Sequence, residues 1–187
     1  MAFTVNLSKS NQQWSLRTKI KRAAWLLVRQ FLFRPTPKRA GNRFRLSLLR
    51  LFGATIHGTP LIHASCRILL PWELEVGAGS AIGDDVEIYN YGRVTIGPMS
   101  VVSQYTYLCS GTHDYTHPHM PLTWLPITIG AECWIAAGVF VGPGVVIGDG
   151  TVIGARSVVT KAMPPWTVCA GNPCKPIKPR VVNPLTT

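Results

Sequence analysis

Three of the chain's five histidines lie in one short stretch, Ser110 to Trp124, which reads SGTHDYTHPHMPLTW. Imidazole has an ordinary pKa close to neutrality, so a histidine there suits acid–base work. Three chemistries fit the stretch: a catalytic base, a metal site, or a surface loop whose histidines are satisfied by water and backbone. His113 is the candidate base, because it follows directly on the ordered run Leu108 to Thr112. Asp114 adjoins it and would orient an imidazole or a bound substrate, or simply stand in solvent; a main-chain carbonyl is the alternative orienting group. His117 and His119 lie within an H-x-x-x-H and H-x-H cluster of the kind that binds zinc when a helix puts i and i+4 on one face. Pro118 lies beside both and argues against a helix. No metal is therefore expected, and these two histidines are read as a flexible rim around His113. Cys109 is read as a small core residue rather than a nucleophile.

A base needs something rigid behind it, and the flanking sequence supplies a repeat. A branched aliphatic recurs every sixth residue at Ile129, Ile135, Val141, Ile147, Ile153 and Val159, and again at Val76, Ile82, Ile88 and Val94. Ile96, Val102 and Leu108 continue it after a two-residue shift, and Ile56, Ile62, Ile68 and Leu74 form a weaker early run. Helices repeat at three and four and simple strands at two, so period six is the signature of a parallel β-helix. Each hexad makes one flat side and one corner, the aliphatic points inward, and a small residue follows where backbones crowd. Three sides close a coil of about eighteen residues, which sets Ile129 beneath Ile147, and the shifts at LEVG, VTIG and ITIG mark longer coils. Asn90, in IYNYG, lies about one coil before Cys109 and Ser110, and its own residue type reads as a turn asparagine.

The chain has 187 residues, of which 47% are hydrophobic and 14% charged, enough for a single domain with a proper core. Five cysteines without a C-x-x-C pair suggest reduced thiols in a cytoplasmic protein rather than a disulfide or zinc framework. The charge is uneven: 13 of the 19 lysines and arginines precede the first acidic residue, Glu73. Residues 14–33 read as an amphipathic helix with Leu16, Ile20, Ala24, Leu27 and Phe31 at helical spacing, and residues 43–52 as a second, with Asn42 as N-cap and Gly53 after its end. Two basic amphipathic helices suit either the capping of an open β-helix end or peripheral contact of residues 14–52 with an anionic membrane. Nucleic acid is a less suitable partner. No signal peptide or membrane span is expected, and no phosphate-binding G-x-x-x-x-G-K-[ST] loop is present.

The hexads IGAECWIAAGVFVGPGVVIGDGTVIGARSVVTK, followed by PPWTVCAGNPCKPIKPR, resemble the hexapeptide-repeat acyltransferase superfamily. Within it, the chain is most similar to the sugar O-acetyltransferases, and among those to the colanic-acid type of bacterial exopolysaccharide synthesis. The resemblance runs from about Ile56 to Arg180. It implies an all-β fold, a left-handed parallel β-helix with an N-terminal helical segment. It also implies a homotrimer that transfers the acetyl group of acetyl-CoA to a hydroxyl of a sugar or glycan. The expected segments are a basic helical part at 1–55, a β-helix at 56–163 with an excursion at 113–126, and a CoA-contacting tail at 164–187.

The same resemblance makes His113 the general base in a direct transfer, with Asn90 and Asp114 near the acceptor. It carries Trp134, Ala137, Ala155, Thr160 and Lys161 over to the pantetheine groove between subunits. Lys175, Lys178 and Arg180, with Lys161, would meet the CoA phosphates. The chain departs from the galactoside and maltose enzymes in one respect: their N-terminal segment supplies an acid to the acceptor, and this one has none. Acetylation of a drug or amino-acid hydroxyl, a zinc enzyme like the γ-class carbonic anhydrases, and a silent anion-binding scaffold remain as alternatives. The expected location is cytoplasmic, either free or peripheral at the inner face of the cytoplasmic membrane.

Overall fold

The computed structural model describes residues 14–183 together with Val5 and Leu7. The outer limits of the first and last expected segments therefore lie outside the described residues. Short parallel strands stack into three sheets that form the sides of a prism. The first sheet holds Thr55–Ile56, Leu74–Val76, Val94–Ile96, Ile127–Ile129 and Val146–Ile147. The second runs from Leu61–Ile62 through Ala81–Ile82, Val101–Val102, Trp134–Ile135 and Val152–Ile153 to Thr167–Gly171. The third contains Arg67–Ile68, Glu87–Tyr89, Tyr107–Cys109, Phe140–Val141 and Val158–Val159. This is the expected β-helix of hexapeptide repeats.

The register follows the hexads. Ile129 pairs with Ile147, one eighteen-residue coil apart. Ile56 pairs with Val76 and Val76 with Ile96, twenty residues apart, so the two-residue shifts do lengthen the early coils. The inward aliphatics, among them Ile82, Ile96, Ile129, Ile135, Ile147 and Ile153, are wholly buried. Each removes apolar surface worth about 1.5–3 kcal/mol. At several corners the small residue after the aliphatic is required by close approach: a Cβ on Gly97 would lie 2.5 Å from the carbonyl carbon of Gly130 in the next coil. Buried corner hydroxyls fasten coil to coil, Ser80 donating to the Gly97 carbonyl at 2.7 Å and Ser100 to that of Gly130 at 2.7 Å.

Helices close the N-terminal end of this core. Helix α1 (Leu16–Val28) runs into a π-helical turn at Arg29–Phe33, and α2 (Asn42–Leu51) follows. Trp25 and Phe33 plug the coil end with Leu46 and Leu49, and the Trp25 indole N–H donates to the Ile68 carbonyl at 2.8 Å. The expected apolar stripe takes no part in this: Leu16, Ile20, Leu27 and Phe31 are 61–73% exposed. The helix is fixed by aromatic anchors on another face, so capping and an outward apolar surface coexist.

Helix α2 also begins differently from expectation. Gly41 occupies the N-cap position without a side-chain bond. Asn42 instead bridges to the coil, donating to the Pro60 carbonyl and accepting from the Ile62 amide. Gly53, at φ +93°, does end the helix as expected. Arg45 is the least anticipated member of the cap. It is wholly buried and donates to the carbonyls of Ile62, Pro37 and Lys38 and to the Thr36 hydroxyl. Burial lowers its pKa, and the carbonyl cluster holds the 36–38 connector against the first coil. At the other end, Thr167–Gly171 turns back through the antiparallel strand Cys174–Pro179.

Candidate active site

Ile96 and Ile129 are register partners although thirty-three residues separate them. The surplus leaves the prism at the corner between the third and first sheets. It forms a hairpin, Gly111–His113 paired antiparallel with Leu122–Trp124, with His113 opposite Leu122 and with His117 and His119 in the turn between the strands. Gly111 lets the ribbon lie on an aromatic shelf, since a Cβ there would sit 3.2 Å from the rings of both Tyr89 and Tyr91. Burial pushes the Tyr89 hydroxyl up to about 12. At the tip, the Asp114 carboxylate accepts from the Thr116 amide at 3.0 Å and its hydroxyl at 2.5 Å. The His117 amide donates to the Asp114 carbonyl, and the Met120 amide to that of His117.

These bonds determine what His113 can do. Its Nδ1 lies 2.6 Å from the Met120 carbonyl oxygen. A carbonyl only accepts, so Nδ1 carries the proton and Nε2 presents its lone pair. The ring is exposed and sits at the end of an ordered coil. Of the two possible orienting groups, the main chain holds the imidazole. Asp114 is engaged with Thr116, whose hydroxyl and amide together hold the carboxyl below its ordinary pKa. No sequence signal marks Met120 for this role, because every residue carries a carbonyl. His117 Nδ1 accepts from the His119 amide. Among the described residues no group of His, Cys, Asp and Glu is placed to hold a metal ion. Cys109 is buried, with Sγ 3.3 Å from the Gly111 carbonyl.

The remaining site candidates fall on two corner rows. Thr160 and Lys161 are exposed on the same third-to-first corner as the hairpin. Asn90 is there too, but wholly buried. Its amide accepts from the Leu70 N–H and donates to the Leu70 carbonyl, as a corner asparagine does. Ala137 and Ala155 lie on the next row, between the second and third sheets, where they line a cavity of about 300 Å³ with Tyr105, Gly138 and Arg156. Trp134 precedes this row, half exposed, its indole N–H on the Ser103 hydroxyl at 3.1 Å.

Lys175 and Lys178 project from the terminal strand, Lys175 opposite Ala170 in register. Arg180 differs from them: its guanidinium donates to the Glu132 and Gly150 carbonyls at 2.6 and 2.9 Å and anchors the tail. One chain thus places the histidine and the alanine row on different corners of the prism.

A prism of hexad coils carrying one histidine on a coil-end hairpin defines a class, and the comparisons agree with it. Residues 126–161 match the family model described as bacterial transferase hexapeptide (six repeats). The chain is 48% identical over 162 residues to the Escherichia coli (strain K12) protein that bears the name colanic acid biosynthesis acetyltransferase WcaF, covering 87% of this chain and 88% of that one. Two solved structures share the fold. A maltose O-acetyltransferase from Clostridium difficile 630 has a TM-score of 0.77 at 27% identity, over 90% of each chain. A galactoside acetyltransferase in complex with coenzyme A has a TM-score of 0.81 at 27% identity, over 90% of this chain and 84% of that one. The chain belongs to the hexapeptide-repeat acetyltransferase family, in the branch of the colanic acid type, and is an acetyl-CoA-dependent acyltransferase.

Proposed function

We propose that the protein O-acetylates a sugar hydroxyl in exopolysaccharide or lipid-linked glycan synthesis, by direct transfer from acetyl-CoA with His113 as general base. The observation that carries this reading is the bond between His113 Nδ1 and the Met120 carbonyl, which leaves Nε2 as the accepting nitrogen. Nε2 takes the proton of the acceptor hydroxyl as its oxygen attacks the thioester carbonyl carbon. A backbone amide meets the oxyanion. The C–S bond then breaks, and the proton passes to the departing thiolate.

In this reading CoA lies along the row of Ala137 and Ala155, beside Trp134, with its phosphates towards Lys161, Lys175, Lys178 and the tail anchored by Arg180. Asn90 and Asp114 serve the acceptor by shaping the corner and the hairpin tip. Because base and donor row lie on different corners, a second copy brings them together, as in a homotrimer. The test is release of CoA thiol from acetyl-CoA across a panel of sugars and glycolipids. Wild-type protein releases thiol with at least one of them, and His113→Ala does not; full activity in the variant overturns the assignment.

The N-terminal stripe is proposed to rest on the inner face of the cytoplasmic membrane. Leu16, Ile20, Leu27 and Phe31 face outward on a segment rich in cations and without an acid, which complements anionic lipid. Co-sedimentation with vesicles containing anionic lipid, and its loss in Ile20→Glu with Leu27→Glu, checks this.

A further inference from the structure

A groove runs between helix α1 and the N-terminal part of the third sheet. Its floor is made by Arg67 and Glu87, which point outward from the sheet, and by the half-buried Leu69 and Tyr89. Its wall is Leu26 of the helix and Arg29 of the π-helical turn. The groove holds about 180 Å³. Whole small molecules usually occupy about 300–1,000 Å³, so this space suits one end of a ligand whose remainder lies elsewhere.

The groove is apolar at its centre and cationic at its rim. Arg67 pairs with Glu87 at 3.1 Å, an exposed ion pair of small net worth. Arg29 is half-buried, and among the described residues no carboxylate or carbonyl accepts from its guanidinium. It opens the π-helical turn, which the bond from the Arg34 amide to the Arg29 carbonyl closes at 3.0 Å. Such wide turns are rare and cluster at functional sites. Seven residues earlier on the same helix face, Arg22 lies over the Trp14 ring with its Nε buried and without a hydrogen-bond partner. Its charge is felt at Tyr89. The groove and its approach thus carry three guanidiniums against one carboxylate.

Leu27, Phe31 and Leu32, on the same stretch of helix, are exposed. The groove also stays open in the proposed trimer. The histidine corner joins the third and first sheets, and the alanine corner joins the second and third. When these corners of neighbouring copies meet, the first and second sheets turn towards the axis and the third faces outward.

We propose that this groove holds the head of one membrane lipid that ends in a phosphate monoester. The phosphate lies between Arg29 and Arg67, and the first methylenes of the chain cover Leu26, Leu69 and Tyr89. A guanidinium pairs with two phosphate oxygens in a planar fork. A monoester offers three free oxygens and can serve both forks, whereas a diester offers two. The chain continues past Leu27 and Phe31 into the bilayer, so the stripe supplies attachment and the groove supplies head-group selectivity. The inference rests on the membrane contact and the trimer proposed above.

The test titrates octyl phosphate, below its micellar concentration, into the full chain by calorimetry, with inorganic phosphate and octanol as its two halves. Octyl phosphate binds wild-type protein at least about tenfold more tightly than either half. Arg29→Gln and Arg67→Gln each weaken it by about tenfold or more, the loss expected when a charged hydrogen-bond partner is removed. Arg17→Gln removes the same charge from an exposed position about 18 Å along α1 from Arg29 and leaves binding unchanged. All three variants keep the wild-type melting temperature. In co-sedimentation, wild-type protein prefers vesicles containing phosphatidic acid to vesicles containing phosphatidylglycerol at matched surface charge, and Arg29→Gln loses that preference. The proposal is overturned if octyl phosphate binds no better than inorganic phosphate, or if Arg17→Gln weakens it as much as Arg29→Gln does. If both kinds of vesicle retain wild-type protein and Arg29→Gln alike, the membrane contact stands and the groove falls. If octyl phosphate binds through Arg29 but no vesicle retains the protein, the phosphate-amphiphile site stands and the membrane contact falls.

Discussion

In the coils, an interior strand is hydrogen-bonded to one strand on either side, as Ile129 is between Ile96 and Ile147. The hairpin strands 111–113 and 122–124 pair only with each other. Coil residues therefore share their stabilisation with neighbours, and a lost contact is felt along the stack. The hairpin is held at its base by Gly111 on two tyrosines and at its tip by a handful of bonds around Asp114 and Met120. Stability and the proposed chemistry thus fall in different regions: one part resists change, and the other can change without unfolding the prism.

Substitutions on either side of that boundary separate the two. The largest effect is expected from His113→Ala, which lowers acetyl transfer by about 10²–10⁴-fold, the span of general-base contributions, with an unchanged melting temperature. Ile135→Ala, in the coils, does the reverse. It costs about 2–5 kcal/mol of stability by chemical denaturation, because a wholly buried side chain leaves a cavity in a stack that cannot collapse. Gly111→Val lies at the junction. Crowding against Tyr89 and Tyr91 displaces the hairpin at a cost of about 1–3 kcal/mol, read as a fall in kcat larger than any fall in melting temperature.

Acid titration provides a smaller test. Glu75 is held below its ordinary pKa first by the Arg93 hydrogen bond and then by that of His57. The unfolded chain takes up this proton at higher pH, so the pair stabilises the fold above the ordinary glutamate value. That contribution is lost as pH falls through the depressed value. Glu75→Gln flattens the acid side of a plot of melting temperature against pH. The smallest effect is expected from Asp114→Asn, which loosens the hairpin tip, seen as faster amide exchange at Thr116 and His117, and leaves the melting temperature unmoved.

The coil register was legible because period six admits few physical solutions. Once a branched aliphatic must point inward at every sixth residue, Ile129 under Ile147 follows. The motif around His113 and its place after a coil end singled it out in the sequence, and the structure places it on the hairpin. The hairpin was not, since Gly111–His113 and Leu122–Trp124 show no alternation that separates them from a loop. Helix α1 misled for a related reason. Its stripe from Leu16 to Phe31 has the spacing of a core face, but Trp25 and Phe33 offered larger, better-shaped plugs for the coil end and turned the stripe outward.

Taken by itself, the sequence determined the period, the inward residues, the lengthened coils and the single corner where the repeat breaks, because these depend on local spacing and on backbone crowding. Only the tertiary structure decided that Met120 orients His113, that Asn90 is absorbed by Leu70, and that His63 and Asp84 meet across twenty-one residues of chain. Such contacts join residues on different coils or on opposite arms of a turn. Their partners are backbone groups common to every residue, or side chains brought together only once the prism has closed.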